Sequence, residues 1–425
     1  MALLPRVFCV GNGVSKFAPP PKKKEPFPTG KVFDDAATAA RAALAEAGLS
    51  YADVGAVVVG YAFSDSTAGQ AAAYRLGLTG IPVYNVSNAC ASGSTALCLA
   101  RALLQSGQHD CVLTMGLEQM RTLTEAYPEH GVYNGHLDQL KKLGVGTFPG
   151  MISGSIANAY VRAAKEYLAN TKGASRHHFA KIAAKNYRQG ERNPNAAYRT
   201  SPPLSVEDVL AAPKLFDEAV TLAMVARPAC GASAAVLVSE HLLASVKKAT
   251  VPVEVVGQAL CTDQAATFDA SVPVASLANL CGWDGSRRAA DEAYAQAGLS
   301  ASDVDVAEIH DAFSSNEMAM FSALRLCEEG GAPAFVDGGV WRGSNLHFFT
   351  RGGRSVVVNS SGGLVAKGHP TGATGVAQCA ELCWQLRGVA GGRQVPGAKT
   401  ALQHNYGWSS AAVVTLYKRA SVSKL

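Results

Sequence analysis

Cys90 has the setting of a nucleophile. It follows the strand-like run Val83–Val86 and directly precedes Ala91-Ser92-Gly93-Ser94-Thr95-Ala96-Leu97, small residues that open a helix. The first turn of a helix offers free backbone N–H groups and the positive end of a dipole, which favour a thiolate. The same N–H groups could stabilise a developing oxyanion. Gly93 and the serines leave room for a second element or a ligand to approach the backbone. Taken alone, the segment also reads as a buried cysteine in a tight strand–helix turn.

Three further segments carry side chains suited to proton transfer or polar binding. His369 sits in Lys367-Gly368-His369-Pro370-Thr371-Gly372, where glycine and proline in a tight turn would fix the ring as a general base requires. His310 closes the apolar run Val304–Ile309 and begins His310-Asp311-Ala312-Phe313. The C-terminal end of a strand is where α/β folds place function, although a histidine held by Asp311 is the plainer reading. Gln403-His404-Asn405-Tyr406-Gly407 precedes the apolar run Ala411–Tyr417 and could equally be an ordinary turn.

The elements that would position these residues show in a self-comparison. Residues Ala39–Phe63 align without gaps on Ala289–Phe313, with 12 of 25 positions identical at an offset of 250 residues. The shared Ala-Gly-Leu-Ser-x-x-Asp-Val predicts an alanine-rich helix stopped at Gly48 or Gly298, a turn, and a buried strand. An offset this large implies a duplicated half rather than a solenoid, and helix–turn–strand units imply an α/β fold with a largely parallel sheet. A fainter match lays Val86–Ala100 over Val365–Cys379 and puts Cys90 opposite His369, so the halves would present equivalent helix starts to one site. Residues 122–220 are more polar, holding Pro128, Pro149, Pro194, Pro202 and Pro203, and read as an insertion in the first half. The expected division is 1–121 with 221–250, the insertion 122–220, and a second half 251–425. The stretch with Pro19–Pro21, Lys22–Lys24 and Pro26–Pro28 reads as a loop whose lysines form a solvated face.

Composition narrows the class. The 425 residues are 48% hydrophobic and 17% charged, which excludes intrinsic disorder. A formal charge of +5 is too dilute for a nucleic-acid groove. No apolar run approaches the ~20 residues that span a bilayer, and Met1–Gly13 reads as a first buried strand rather than a signal peptide. The ten cysteines show neither CxxC nor zinc-type spacing, and Cys379 and Cys383 read as small buried hydrophobes on one helix face, so a reduced, metal-free protein is expected. Gly11-Asn12-Gly13 fails the dinucleotide fingerprint because Lys16 stands where the third glycine belongs. Ser423-Lys424-Leu425 matches the tripeptide read by the peroxisomal import receptor, so a peroxisome, or a related organelle such as the glycosome, is the expected location.

Together these segments resemble the thiolase superfamily and are most similar to its sterol-carrier-protein-type 3-ketoacyl-CoA thiolases. The likeness runs almost end to end, through Gly13-Val14-Ser15-Lys16-Phe17, Asn88–Ser94, Gly116-Leu117-Glu118-Gln119-Met120, His178-Phe179-Ala180-Lys181-Ile182, His310–Phe313, Gly368-His369-Pro370 and Gln403–Gly407. It implies an α/β thiolase fold: two pseudo-symmetric βαβαβαββ halves in a five-layered αβαβα core, an inserted loop domain, and a homodimer. It also implies that Cys90 takes the acyl group, activated by His369, and that His310 and His369 bind the thioester oxygen of the nucleophilic acetyl unit. The backbone N–H groups of Cys90 and Gly407 would form a second oxyanion hole. Coenzyme A and acyl-CoA would be substrates, with no resident cofactor. Asn405, His404, Lys181 and Met120 are candidate substrate contacts, and basic residues within Lys181–Arg192 are candidates for the CoA phosphates.

One departure stands out. The resemblance implies a second acid/base cysteine to move the α-proton of acetyl-CoA, either at the position of Asn405 or third in the His-Asp-Cys-Phe motif. Both places lack it, the second holding Ala312, native or introduced. A missing general acid/base typically costs ~10²–10⁴ in rate. The expected function is therefore a thiolase scaffold of fatty-acid or sterol side-chain degradation with impaired thiolysis. The alternatives are a Cys-His-His enzyme that decarboxylates or condenses malonyl-CoA, and an acyl-CoA-binding pseudoenzyme.

Overall fold

Both copies of the repeated segment feed strands of one large sheet. The computed structural model describes residues 4–21, 30–121, 134–142, 144, 152–243, 251–268, 276–343, 346–351, 353–408 and 411–420. The sheet strands are β1 (Val7–Val14), β2 (Ala56–Gly60), β3 (Val83–Val86), β4 (Cys111–Gln119), β5 (Cys230–Ser239), β6 (Val253–Cys261), β7 (Val306–Glu308), β8 (Val340–Arg342), β9 (Leu346–Arg351), β10 (Arg354–Val358), β11 (Thr400–Gly407) and β12 (Ala411–Arg419). The helices that matter here are α1 (Lys31–Ala47), α2 (Ser92–Gln105), α3 (Ile152–Asn170), α4 (Arg176–Gly190), α5 (Trp283–Ala297), α6 (Ser314–Ala323), α7 (Gly363–Lys367) and α8 (Thr371–Arg387).

The strand order is the same twice. One half runs β3-β2-β4-β5-β1 and the other β10-β7-β11-β12-β6. In each, a central strand lies parallel to two neighbours (β2 to β3 and β4; β7 to β10 and β11), and the remaining contacts are antiparallel. The halves join through β1 and β6, with Phe8 opposite Glu254 and Cys9 opposite Val253. The strands β8 and β9 extend the outer edge beyond β10.

The repeated signature explains itself locally. Gly48 and Gly298 end α1 and α5 at φ 68° and 60°, a left-handed conformation that strains any residue with a Cβ. The leucine after each glycine donates back into the last turn, Leu49 to the Leu44 carbonyl at 3.0 Å and Leu299 to the Tyr294 carbonyl at 3.2 Å. The serine then opens a capping box: the Ser50 amide donates to Asp53 at 2.7 Å and the Ser300 amide to Asp303 at 2.9 Å. The alanines serve close packing. A Cβ on Gly11 in β1 would lie 2.0 Å from the Ala43 carbonyl oxygen, and one on Gly257 in β6 would lie 2.2 Å from that of Ala293. Glycine on the strand and alanine on the helix let α1 and α5 lie directly on their sheets.

The layers follow from the helices. α2 and α8 pack on one another between the half-sheets, and α1 covers the outer face of the first half. α5 and α6 cover the outer face of the second, where α3 and α4 extend the same core. This is the αβαβα arrangement expected from the sequence. Among the described residues, no helix is long and apolar enough to cross a membrane. The expectations for Lys22–Lys24, Pro26–Pro28, Pro128, Pro149 and Ser423-Lys424-Leu425 lie outside the described residues.

Candidate active site

Two helix starts and one strand end meet at the centre. Ala89 takes φ 47°, a left-handed turn that swings the chain from β3 into α2 and presents Cys90 at the corner. Ser92 holds the corner closed, accepting from the Asn88 amide at 2.9 Å and donating to the Ala89 carbonyl at 2.6 Å. Across from it, Pro370 precedes the first residue of α8, and the His369 amide donates to the Arg227 carbonyl at 2.9 Å. A Cβ on Gly375 would lie 2.3 Å from Ser94 Oγ and 2.4 Å from its amide nitrogen, so only glycine lets the two helix starts touch. His310 arrives two residues after β7.

Cys90 Sγ and one ring nitrogen from each of His310 and His369 all lie within 4.8 Å of one another. The imidazole centroids are 5.1 Å apart with the rings edge-on at 78°. His369 Nδ1 is 2.8 Å from Thr374 Oγ1, and that hydroxyl gives its own proton to the Pro370 carbonyl at 3.0 Å. Thr374 must therefore accept from Nδ1–H, and Nε2 keeps its lone pair. Nε2 is buried without a hydrogen-bond partner, as a waiting base would be. Burial, and next the Lys367 ammonium, depress the pKa of His369 to about 3. The Cys90 thiol is pushed up to about 12 by burial and then by the Glu118 carboxylate. The helix-dipole expectation of a resting thiolate therefore loses to desolvation. Those shifts leave a neutral thiol beside a neutral imidazole.

The aspartate after His310 has a mechanical role. Its carboxylate accepts from the Leu364 amide at 2.7 Å, the Val365 amide at 3.3 Å and Asn186 Nδ2 at 2.8 Å. Asp311 thus ties the end of β7 to α7, which leads into His369. Burial and the neighbouring Glu317 hold its carboxyl well above the usual carboxylate range. The buried Lys185–Glu317 pair at 2.6 Å anchors α4 to the same block.

The remaining candidates fall in different places. Asn405 Nδ2 lies 3.0 Å from His310 Nδ1, directly behind the site. His404, one residue earlier on β11, points to the opposite face: its Nε2 is 2.9 Å from Ser286 Oγ, and its Nδ1 accepts from the His310 amide at 3.4 Å. Gly407 ends β11 opposite Ala411, which packs on Ala91 beside Cys90. Ala312 is partly buried and its carbonyl accepts from the Ala226 amide at 2.9 Å. The Met120 sulfur lies 3.5 Å from Thr371 Oγ1. Lys181 is ion-paired to Asp337 at 2.7 Å on the wall of a cavity of about 620 Å³, shared with Arg188, Trp341 and Phe349. Of the other candidates for CoA phosphates, Lys185 is sequestered against Glu317, and Arg188 stacks 4.1 Å over Trp341.

Two contributors escaped sequence reasoning. Thr374 fixes the His369 tautomer from the first turn of α8. Glu118, fully buried, accepts from Thr371 Oγ1 at 2.6 Å, the Gly372 amide at 3.2 Å, the Ala62 amide at 2.8 Å and the Phe63 amide at 3.2 Å, which pins α8 to the loop after β2. A glutamate directly after the apolar run 111–117, on the same strand, was the available signal for it. Two donor sets have spacings that a soft metal could use: Cys90 with His310 and His369, and the buried group Cys9, Cys379 and Cys383. All ten cysteines are free thiols.

Two family descriptions match the chain: the thiolase N-terminal domain over residues 31–216 and the thiolase C-terminal domain-like family over residues 272–419. Sterol carrier protein 2 of Oryctolagus cuniculus is 43% identical over 424 residues, covering 98% of this chain and 73% of that protein. An acetyl-CoA acetyltransferase of Methanothermobacter thermautotrophicus is 31% identical over 384 residues, 89% of this chain and 92% of that one. Among solved structures, human mitochondrial 3-ketoacyl-CoA thiolase in complex with CoA aligns with a TM-score of 0.70 at 19% identity, over 99% of this chain and 100% of that chain.

Proposed function

The chain belongs to the thiolase family, and from that premise we propose that it transfers acyl groups between coenzyme A and Cys90. The observation that carries the reading is the Cys90–His369 pair, a nucleophile beside a buried Nε2 whose protonation state Thr374 sets. Cys90 attacks the thioester or 3-keto carbonyl, His369 takes the thiol proton, and CoA or an acetyl-CoA enolate leaves. The amides of Cys90 and Gly407 would hold the oxyanion of this step, with His310 and His369 around the carbonyl of the second acyl group. Residues 122–220 are proposed as the insertion that holds CoA, lying between 1–121 and 221–250 and followed by a second half from 251 to 425, in a homodimer. Fatty-acid or sterol side-chain degradation is the proposed setting.

Ala312 divides the reaction. Moving an acyl group from a simple thioester to Cys90 requires only the base. Cleaving a 3-ketoacyl-CoA also requires a proton for the acetyl-CoA carbanion, and alanine has none to give. Thiolysis is therefore slow while acylation is intact. Because Ala312 leaves a Cys-His-His set, a second reading is decarboxylation or condensation of malonyl-CoA, in which loss of CO₂ makes the carbanion without a base. Three assays separate the readings: acetoacetyl-CoA with CoA, malonyl-CoA, and either substrate with the Ala312→Cys variant. A rise of ~10²–10⁴ in thiolysis for Ala312→Cys supports the first reading. Decarboxylation of malonyl-CoA by the native chain supports the second, and acyl-CoA binding without turnover or adduct would leave a pseudoenzyme.

A further inference from the structure

We infer that Asn405 is a positioning residue that presents His310 to the site as a hydrogen-bond donor through Nε2. The assignment follows from a chain of buried hydrogen bonds anchored on a group with no choice of role. The Gly375 carbonyl can only accept, so the Gln403 atom 2.7 Å from it is the amide nitrogen Nε2. The other side of that amide, Oε1, accepts from the Tyr417 hydroxyl at 2.6 Å. The second Nε2 proton goes to Ser94 Oγ at 2.8 Å. The Ser94 hydroxyl still has a proton to give, and among the described residues the Asn405 side chain at 2.9 Å is its one remaining partner, which makes that atom the oxygen Oδ1. The Asn405 nitrogen then faces His310 Nδ1 at 3.0 Å and can only donate to it. Nδ1 of the neutral ring must accept, so its one proton is on Nε2.

Gln403, Asn405, Ser94, Tyr417 and His310 are each at most 1% exposed, so no solvent reaches the chain to re-sort its donors. The consequence is a division of labour between two like rings. His369 is locked by Thr374 with Nε2 as acceptor, and His310 is locked by Asn405 with Nε2 as donor. One can take the Cys90 proton, and the other can only offer one. Ser94 lies on α2 and Asn405 on β11, so the lock also spans the two halves. The tautomer rests on these hydrogen bonds alone. That the recipient of the Nε2–H bond is an acyl thioester oxygen rests on the proposed function.

The test reads the tautomer without any turnover. The full chain is labelled with nitrogen-15 histidine, and two-bond proton–nitrogen correlations assign the His310 ring, identified by its loss in His310→Asn. The native chain should show His310 protonated on Nε2. Asn405→Asp places an acceptor opposite Nδ1 and should move the proton there. Ser94→Ala frees the Asn405 amide to turn over and should give both tautomers. A native His310 protonated on Nδ1 overturns the inference, as does an unchanged tautomer in either folded variant. Because no substrate is present, an inactive enzyme would fail the proposed function and leave this result standing.

Discussion

His369 Nδ1 lies 2.8 Å from Thr374 Oγ1, and that hydroxyl returns its proton to the Pro370 carbonyl at the head of the same helix. A side chain five residues downstream thus decides which nitrogen of the histidine faces the thiol. Thr374→Val keeps the shape and removes the acceptor. Cys90 acylation by acetyl-CoA should fall roughly 10²-fold in rate with substrate affinity unchanged, at a stability cost of about 1 kcal/mol. Thr374→Ser should restore the rate, and a valine variant with native rates would remove Thr374 from the account.

The resting state should be visible in pH profiles. With the Cys90 thiol near 12 and His369 near 3, neither group titrates near neutrality. Alkylation of Cys90 by iodoacetamide should be slow at neutral pH and still rising above roughly pH 9, where an unperturbed thiol is levelling off. A plateau with a midpoint near neutrality would instead indicate a thiolate–imidazolium pair.

Acid should weaken the fold through its buried imidazoles. His404 is depressed from 6.5 to about 3 by burial, so the native state excludes a proton that the unfolded chain binds below about 6.5. Its contribution is complete above that pH and is lost on the way down to about 3, at ~1.4 kcal/mol per pH unit. Asp311 and Glu118, both raised, slope the opposite way, so the difference between variants isolates the histidine. His404→Asn keeps an acceptor for the His310 amide, and its denaturation midpoint should fall less than the native one between pH 7 and roughly pH 5. Equal slopes would contradict this.

Much of the architecture is legible in the amino-acid sequence. The twelve identities between residues 39–63 and 289–313 mark the duplicated half, because a left-handed glycine, a capping box and a strand entry constrain residue type locally. Cys90 and His369 stand out through small residues and a proline at helix starts. What escapes depends on contacts across the chain. Strand parity alone says that His404 and Asn405 face opposite sides of β11, but only the packing of α2 and α8 says which side is the site. The protonation state of the thiol is misjudged from sequence because helix position is written there and burial is not. Thr374 resembles any threonine in a small-residue helix until its hydroxyl is traced to Pro370.

The most direct measurement is the mass of the Cys90 peptide after the native chain meets acetyl-CoA, beside acetoacetyl-CoA turnover under the same conditions. One acetyl group on Cys90, lost in His369→Ala and accompanied by only slow acetoacetyl-CoA cleavage, is the expected result. An unmodified Cys90, or acetylation that ignores His369, would contradict the nucleophile–base assignment.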